Sequence, residues 1–445
     1  MSGALALMSL REASGPAVSG LAAADMKTPT GPGAGTTVSE PEPSSRPRPV
    51  RAEPAGAGAT GQAATPAGVA ASGRPRILAL DLFRVIVVAF VVAVHILGVS
   101  AGISVASGAV LTVFHTSREL FFLLTAFVLS YNYGDRRQIS WRRFWRKRYA
   151  LIVPAYLAWS LIYFIADPQQ LRPVTLALLH FAGDLLTGTA KYQLYFLLVT
   201  MQLYLAFPLL RWLLHKTASH HLALFAVAGA YQLALTLAIQ HHLVTTGLIG
   251  AWLRYPDALL PSYLFYVVAG AIAARHFERL ASFCRRNATL AGPVFALGLC
   301  AGLGSYAADI ALAGLSPSAA TAVFQPGLVL ETLCFSWALL TLSLRWADHG
   351  ARYRKVVCAG ADGSFGIFLA HPLLLQGLLA LAGLTGVLAA IQAASSLLQL
   401  AALLGVGVPL ICGLSGLLVM IVRRTPLSLP LTGRRAGNPS SGGLG

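Results

Sequence analysis

What most constrains this chain is a succession of apolar stretches, each about 20 residues long, running from residue 77 to residue 422. A helix of that length crosses the hydrocarbon core of a bilayer, where a backbone must satisfy its own hydrogen bonds. The windows fall near 78–99, 117–133, 149–165, 192–212, 222–239, 259–274, 289–308, 324–344, 364–382 and 403–422. The expected fold class is therefore an all-α integral membrane protein with about ten transmembrane helices. Charged residues make up only 11% of the chain and hydrophobic residues 56%. A soluble globule with that balance would expose mostly hydrocarbon, which excludes the soluble enzyme folds.

The net charge of +17 does not indicate a nucleic-acid partner. Basic residues that bind nucleic acid gather on one face or in one domain, whereas here they recur as short runs between apolar windows. Counted in or beside the loops after helices two, four, six and eight, they number 17, including Arg136, Arg137, Arg142, Arg143, Arg146, Lys147 and Arg148. The opposite side holds Arg172, Lys191 and Arg254, with Arg118 at a helix mouth. That asymmetry follows the positive-inside rule and predicts cytoplasmic N- and C-termini in a cell-membrane protein. The five cysteines (Cys284, Cys300, Cys334, Cys358 and Cys412) form no CxxC pair, and no histidines stand at zinc spacing. Neither structural disulfides nor a metal site are expected.

Residues 1–73 differ in composition: Ala, Gly, Pro, Ser and Thr dominate, and too few large apolar residues are present to form a core. They read as a disordered cytoplasmic tail, and residues 425–445 as a second, shorter one, flanking a transmembrane domain over 74–424. The start MSGALALMSL lacks the basic n-region and full apolar core of a signal peptide, and Met26 is an alternative start. A GxGxxG string at Gly56, Gly58 and Gly61 has no strand before it or helix after it, so it carries no dinucleotide reading.

Ionisable residues inside apolar windows are costly, about 2.5–3.5 kcal/mol each on insertion scales, and mark functional positions by default. The first helix carries Asp81, Arg84 and His95. Eleven residues separate Arg84 from His95, close to three full turns, so both lie on one face and stand ~16.5 Å apart along the axis. Alternatively, Asp81 and Arg84 form a structural pair at i, i+3, and His95 is an interhelical hydrogen-bonding residue. Glu119 begins the second helix near the expected level of His95 and is a candidate to orient its imidazole. The competing reading makes Arg118 and Glu119 an interfacial anchor. Glu331, inside the eighth helix, is a further intramembrane anomaly. His371 precedes Pro372 in the ninth; it either satisfies carbonyls freed by the proline or lines a tunnel. His220, His221, His241 and His242 fall in loops and are expected to be solvated. The Arg-rich stretch 136–148 orients the protein and contacts anionic lipid. It also fits a phosphorylated cofactor such as coenzyme A, with Arg143 and Arg148 as candidate contacts.

Several segments resemble the acyltransferase 3 family. RVIVVAFVVAVH, an Arg, ten residues and a His, is similar to its first-helix signature. RELFFLLTAFVLSY resembles its FF-x-L-S-G-F block, with Thr125–Ala126 in place of Ser-Gly, and RRFWRKRYALIVPAY its basic stretch and Pro-containing third helix. YFLLVTMQLYLAFPLL and SFGIFLAHPLLL resemble its fourth-helix and late His-Pro segments. The resemblance covers about 76–422 and is weakest between helices five and eight, where the substrate-specific outer surface would lie.

Together with the charge geometry, the resemblance implies a membrane O-acyltransferase. It would move an acyl group, expected to be acetyl, from cytoplasmic acyl-CoA to a hydroxyl of a cell-envelope carbohydrate or glycolipid. Acyl-CoA is then a donor substrate, and no permanently bound cofactor is expected. His95 would act as general base or acyl carrier and Arg84 near the phosphate end of the donor, with Glu331 and Glu119 as catalytic candidates. Arg118, His371, Arg143 and Arg148 are the candidates for binding substrate. The other partners expected are membrane lipids. A transporter or flippase of a lipid-linked or acylated precursor is the alternative, since it too needs buried charges; no internal repeat supports it. Neither G-x-S-x-G nor a phosphate-binding P-loop motif is present.

Overall fold

The computed structural model describes residues 75–435, apart from 101–102, 135, 137, 168–173 and 255. The expected tail over 1–73 and its GxGxxG string lie outside the described residues. Seventeen α-helices follow in order: α1 (Leu78–Ser100), α2 (Val105–His115), α3 (Ser117–Tyr133), α4 (Trp141–Ala166), α5 (Ala177–Thr187), α6 (Tyr195–Lys216), α7 (His221–Gln240), α8 (Gly247–Arg254) and α9 (Leu264–Arg275). Then come α10 (Phe277–Arg286), α11 (Ala291–Ala311), α12 (Pro326–Asp348), α13 (Arg354–Leu384), α14 (Val387–Ala393), α15 (Ser396–Ala402), α16 (Val408–Val422) and α17 (Ser428–Thr432). No strand occurs among the described residues.

Among the described residues, nine helical stretches are long and apolar enough to cross a membrane. They include α2 with α3 as one stretch, broken at Thr116, and α15 with α16 as another, joined by a π-helical turn at Leu403–Gly407. The sixth expected helix corresponds to Leu260–Arg275, which is shorter than these nine. It nevertheless leads from one end of the bundle to the other, from Tyr263 under Arg118 to His276 beside His221.

Three expectations are corrected. Residues 105–115, read as loop, form α2: a capping box between Ser104 and Ser107 starts it, and Leu111 and Thr112 are buried. The third helix begins at Trp141 rather than near 149, because Ser140 accepts the Arg143 backbone N–H as an N-cap. Its Arg-rich stretch is therefore the first turns of a helix. The expected tail beyond 424 includes an ordered helix, α17, with Ser428 and Thr432 buried; Trp159 donates its indole N–H to the Leu431 carbonyl at 3.0 Å. The apolar LSLPL run gave α4 a surface to cover.

Close packing depends on small residues. Gly270 of α9 meets α3 so tightly that a Cβ there would strike the Leu123 carbonyl, the approach that small residues allow between membrane helices. Prolines inside helices free the carbonyl four residues back. Pro208 in α6 leaves Tyr204 O without a helical partner, and the Trp145 indole N–H fills the place at 2.8 Å.

Candidate active site

α1 presents Arg84 and His95 toward α13, three turns apart, as their spacing requires. At one end, Arg84 is partly buried and lies within electrostatic reach of Asp81, Arg434, Arg76 and Asp362. Asp81 does not pair with Arg84 as an i, i+3 partner: it binds Arg76 at 2.6 Å, and that bond raises the Arg76 guanidinium pKa above its ordinary value. Arg76 and Arg434 also contact the Asp362 carboxylate, at 3.3 and 3.0 Å, and Arg423 donates to its backbone carbonyl. Four guanidinium groups thus gather around two carboxylates, an excess of positive charge suited to phosphate.

Arg148 faces the same interior. Its guanidinium lies over Tyr133, Phe144 and Tyr204 at 5.3, 5.8 and 5.8 Å, and its Nε has no hydrogen-bond partner. Arg84 also acts electrostatically on Tyr204, which links α1 to this aromatic cluster. Arg143, by contrast, is exposed, since on the opposite side of α4 it points away from α6.

At the other end, His95 lies between two rings. Tyr192 is 4.2 Å away between centroids, and His371 is stacked at 5.2 Å with 25° between the planes. His371 is fully buried; its Nδ1 hydrogen-bonds the Phe368 carbonyl at 2.8 Å, while Nε2 has no partner among the described residues. Lys191 stands over Tyr192 and Tyr163 at 5.3 and 5.8 Å. Burial lowers the Lys191 pKa against the opposing pull of Asp167. Next to it Gln193 is buried, and among the described residues neither of its amide atoms nor the Nδ1 of His115 has a hydrogen-bond partner. His115 also acts electrostatically on His95. A buried polar atom with no protein partner marks a place for water or a ligand, and three side chains here supply such atoms.

Tyr192, Gln193 and Lys191 were not legible as site residues. The fourth apolar window absorbed the first two as its opening, whereas helix α6 starts only at Tyr195. Gly188 was the available signal: with φ +76° it ends α5 and folds the chain back so closely that a Cβ would strike the Tyr195 backbone.

The carboxylates lie elsewhere. Arg118 and Glu119 do pair, despite being sequence neighbours, with Nη2 to Oε1 at 2.6 Å. Arg118 also binds Asp257 at 2.6 Å and the Val323 carbonyl at 3.1 Å, and stacks over Phe324 at 4.5 Å. Glu331 is fully buried with neither oxygen hydrogen-bonded; it lies against Gly302 and acts electrostatically with Glu119. Among the described residues, the charged groups acting on His95 are His371, His115 and Lys191, with no carboxylate among them. Of the two acids expected to orient His95, Glu119 is held by Arg118 and Glu331 lies against Gly302. His221 is also corrected: it is buried, not solvated, and bonds His276 at 2.8 Å and the Leu214 carbonyl at 2.9 Å.

Among the described residues, an all-helical bundle with nine stretches long and apolar enough to cross a membrane is the architecture of a multi-pass membrane protein. The sequence model of the acyltransferase 3 family, described as an acyltransferase domain, matches residues 77–416. The chain belongs to that family and is an acyltransferase of the membrane type. Neither the comparison with curated proteins nor that with solved structures finds a match.

Proposed function

We propose that this acyltransferase takes an acyl group, acetyl, from cytoplasmic acyl-CoA at the Arg84 end and transfers it to a hydroxyl of a cell-envelope carbohydrate or glycolipid at the His95 end. The observation that carries the reading is the placement of Arg84 and His95 on one face of α1, ~16.5 Å apart along its axis. That rise is comparable to an extended pantetheine arm. The phosphates of the donor would meet Arg84 and its neighbours Arg76, Arg434 and Arg148, while the thioester reaches the imidazoles. His95 then acts as the base on the acceptor hydroxyl or carries the acyl group in transit.

The test supplies labelled acetyl-CoA to the purified protein in liposomes, together with a glycolipid extract of its source membranes. Label appearing in the extract with release of CoA supports the proposal, and loss of both in His95→Ala ties them to this site. Movement of glycolipid across the bilayer with no release of CoA would instead indicate a transporter.

A further inference from the structure

Pro372 has no N–H, so the carbonyl four residues earlier in α13, that of Phe368, loses its helical donor. The structure fills that place from within the same turn: His371 Nδ1 lies 2.8 Å from Phe368 O. A carbonyl only accepts, so Nδ1 carries the proton and donates it. In the neutral ring the other nitrogen, Nε2, must then hold the free lone pair. Nε2 is buried and has no hydrogen-bond partner among the described residues. It is not engaged by His95, because the two rings stack at 5.2 Å with 25° between planes, and a stacked ring does not receive an in-plane lone pair. The backbone around this point is held from α4, where Tyr163 donates its hydroxyl to the Leu369 carbonyl at 2.7 Å. The proline thus fixes the tautomer of the neighbouring histidine and keeps one basic nitrogen open beside His95.

We infer that His371 is a second catalytic imidazole, whose Nε2 takes the proton of the acceptor hydroxyl in the acyl-transfer step. This rests on the acyl-transfer reading above and deepens it: with His371 as the base, His95 takes the other of its two roles and carries the acyl group. As the acceptor oxygen attacks the acyl carbonyl, its O–H proton passes to Nε2 and a new C–O bond forms. The bond from the carbonyl carbon to the nitrogen of His95, acylated beforehand by the thioester with release of the thiol, breaks. The proton on Nε2 then passes to that leaving atom, which restores His371 to its starting tautomer. The overall change is hydroxyl plus thioester to ester plus thiol.

The substitution His371→Asn separates chemistry from structure. The amide nitrogen of Asn stands near the position of Nδ1 and can keep the bond to Phe368, whereas the Nε2 lone pair is removed. With labelled acetyl-CoA and the membrane glycolipid extract, kcat is expected to fall by about 100-fold or more. The KM for acetyl-CoA and the thermal midpoint should stay near those of the wild type. A variant that keeps half or more of the wild-type kcat would reduce His371 to a helix cap and overturn the inference.

A second background guards against misfolding. Pro372→Ala restores an N–H for Phe368 O, so the cap is no longer needed there. Adding His371→Ala in that background should still abolish turnover relative to Pro372→Ala alone; equal rates would overturn the inference. Wild-type protein that releases no CoA removes the acyl-transfer reading and this inference with it, whereas active wild type with an active Asn variant removes only the inference.

Discussion

His95 and the carboxylates occupy different neighbourhoods, and that separation sets what single substitutions should do. His95→Ala is expected to cut acyl transfer by about 100-fold or more while leaving expression and folding near normal, checked by CoA release and size-exclusion profile. Arg84→Ala should mainly lower kcat/KM for acyl-CoA, and Arg84→Lys should rescue it only in part, because an ammonium lacks the planar fork of a guanidinium. Glu331→Gln should leave the acidic limb of the pH–rate profile where it is, since among the described residues no carboxylate acts on His95; a limb displaced to lower pH would show that Glu331 is coupled to the site. Arg118→Ala is expected to destabilise by about 3–5 kcal/mol, because it strands the Glu119 carboxylate, whose side chain is 3% exposed. Thermal unfolding in detergent reads that loss, and Glu119→Gln added to it should recover part. At this scale the sequence announced Arg84, His95, Glu331 and His371 as costly residues in apolar surroundings. It did not announce their partners. The contact of His95 with His371 joins positions 276 residues apart, and no spacing rule reaches across such a gap.

At the scale of elements, periodicity and apolar length made the long helices legible, and the misses were local. α2 and α17 are short, and burial against α11 and α4 rather than length decides that they form. Glycines in helices are ambiguous in sequence, whereas in space Gly270 is a contact point. Gly270→Ala should cost about 1–3 kcal/mol, as overpacking does, because the added Cβ meets backbone that cannot turn aside. Its thermal midpoint should fall well below that of Gly377→Ala, where nothing lies within 4 Å. The joint between α7 and α9 makes a pH-dependent prediction. His221 donates from Nε2 to Leu214 O, so its Nδ1 receives the His276 N–H. Desolvation first, then His221, Arg279 and Arg275, lower the His276 pKa from its ordinary 6.5. A histidine with a lowered folded-state pKa binds more protons unfolded than folded, so stability rises with pH in the window just below 6.5 and is lost as the pH falls through it. Acidification from about pH 7 to 5 should therefore lower the thermal midpoint more in wild type than in His276→Gln, whose amide N–H keeps the bond to His221 without titrating. Equal slopes would show that His276 does not titrate in that range.

Over the whole molecule, the alternation of basic residues in sequence coincides with a division of the loops between two ends. Arg211 donates to the Gly134 carbonyl, His221 meets His276 and Arg285 pairs with Asp348, which joins the loops after helices two, four, six and eight at the Arg84 end. Arg118 reaches Asp257 and Val323, and Gln240 reaches Asp309, which joins the intervening loops at the His95 end. A bundle whose loops sort this way has one basic end and one poor in charge, and the basic end is expected in the cytoplasm. Single cysteines test this in a variant lacking the five native thiols. Ser140→Cys and His349→Cys should react with a membrane-impermeant maleimide only after the cells are opened, and His242→Cys and Ser316→Cys in intact cells; all four positions are exposed. The pair 242 and 316 is the sensitive part, because the short helix Leu260–Arg275 lies between them. Were that helix not to cross, position 316 would fall on the opposite side from 242, and the labelling of intact cells would split. Labelling of position 140 in intact cells would invert the whole arrangement, put Arg84 outside, and leave the donor phosphates without a guanidinium on the side where acyl-CoA is made.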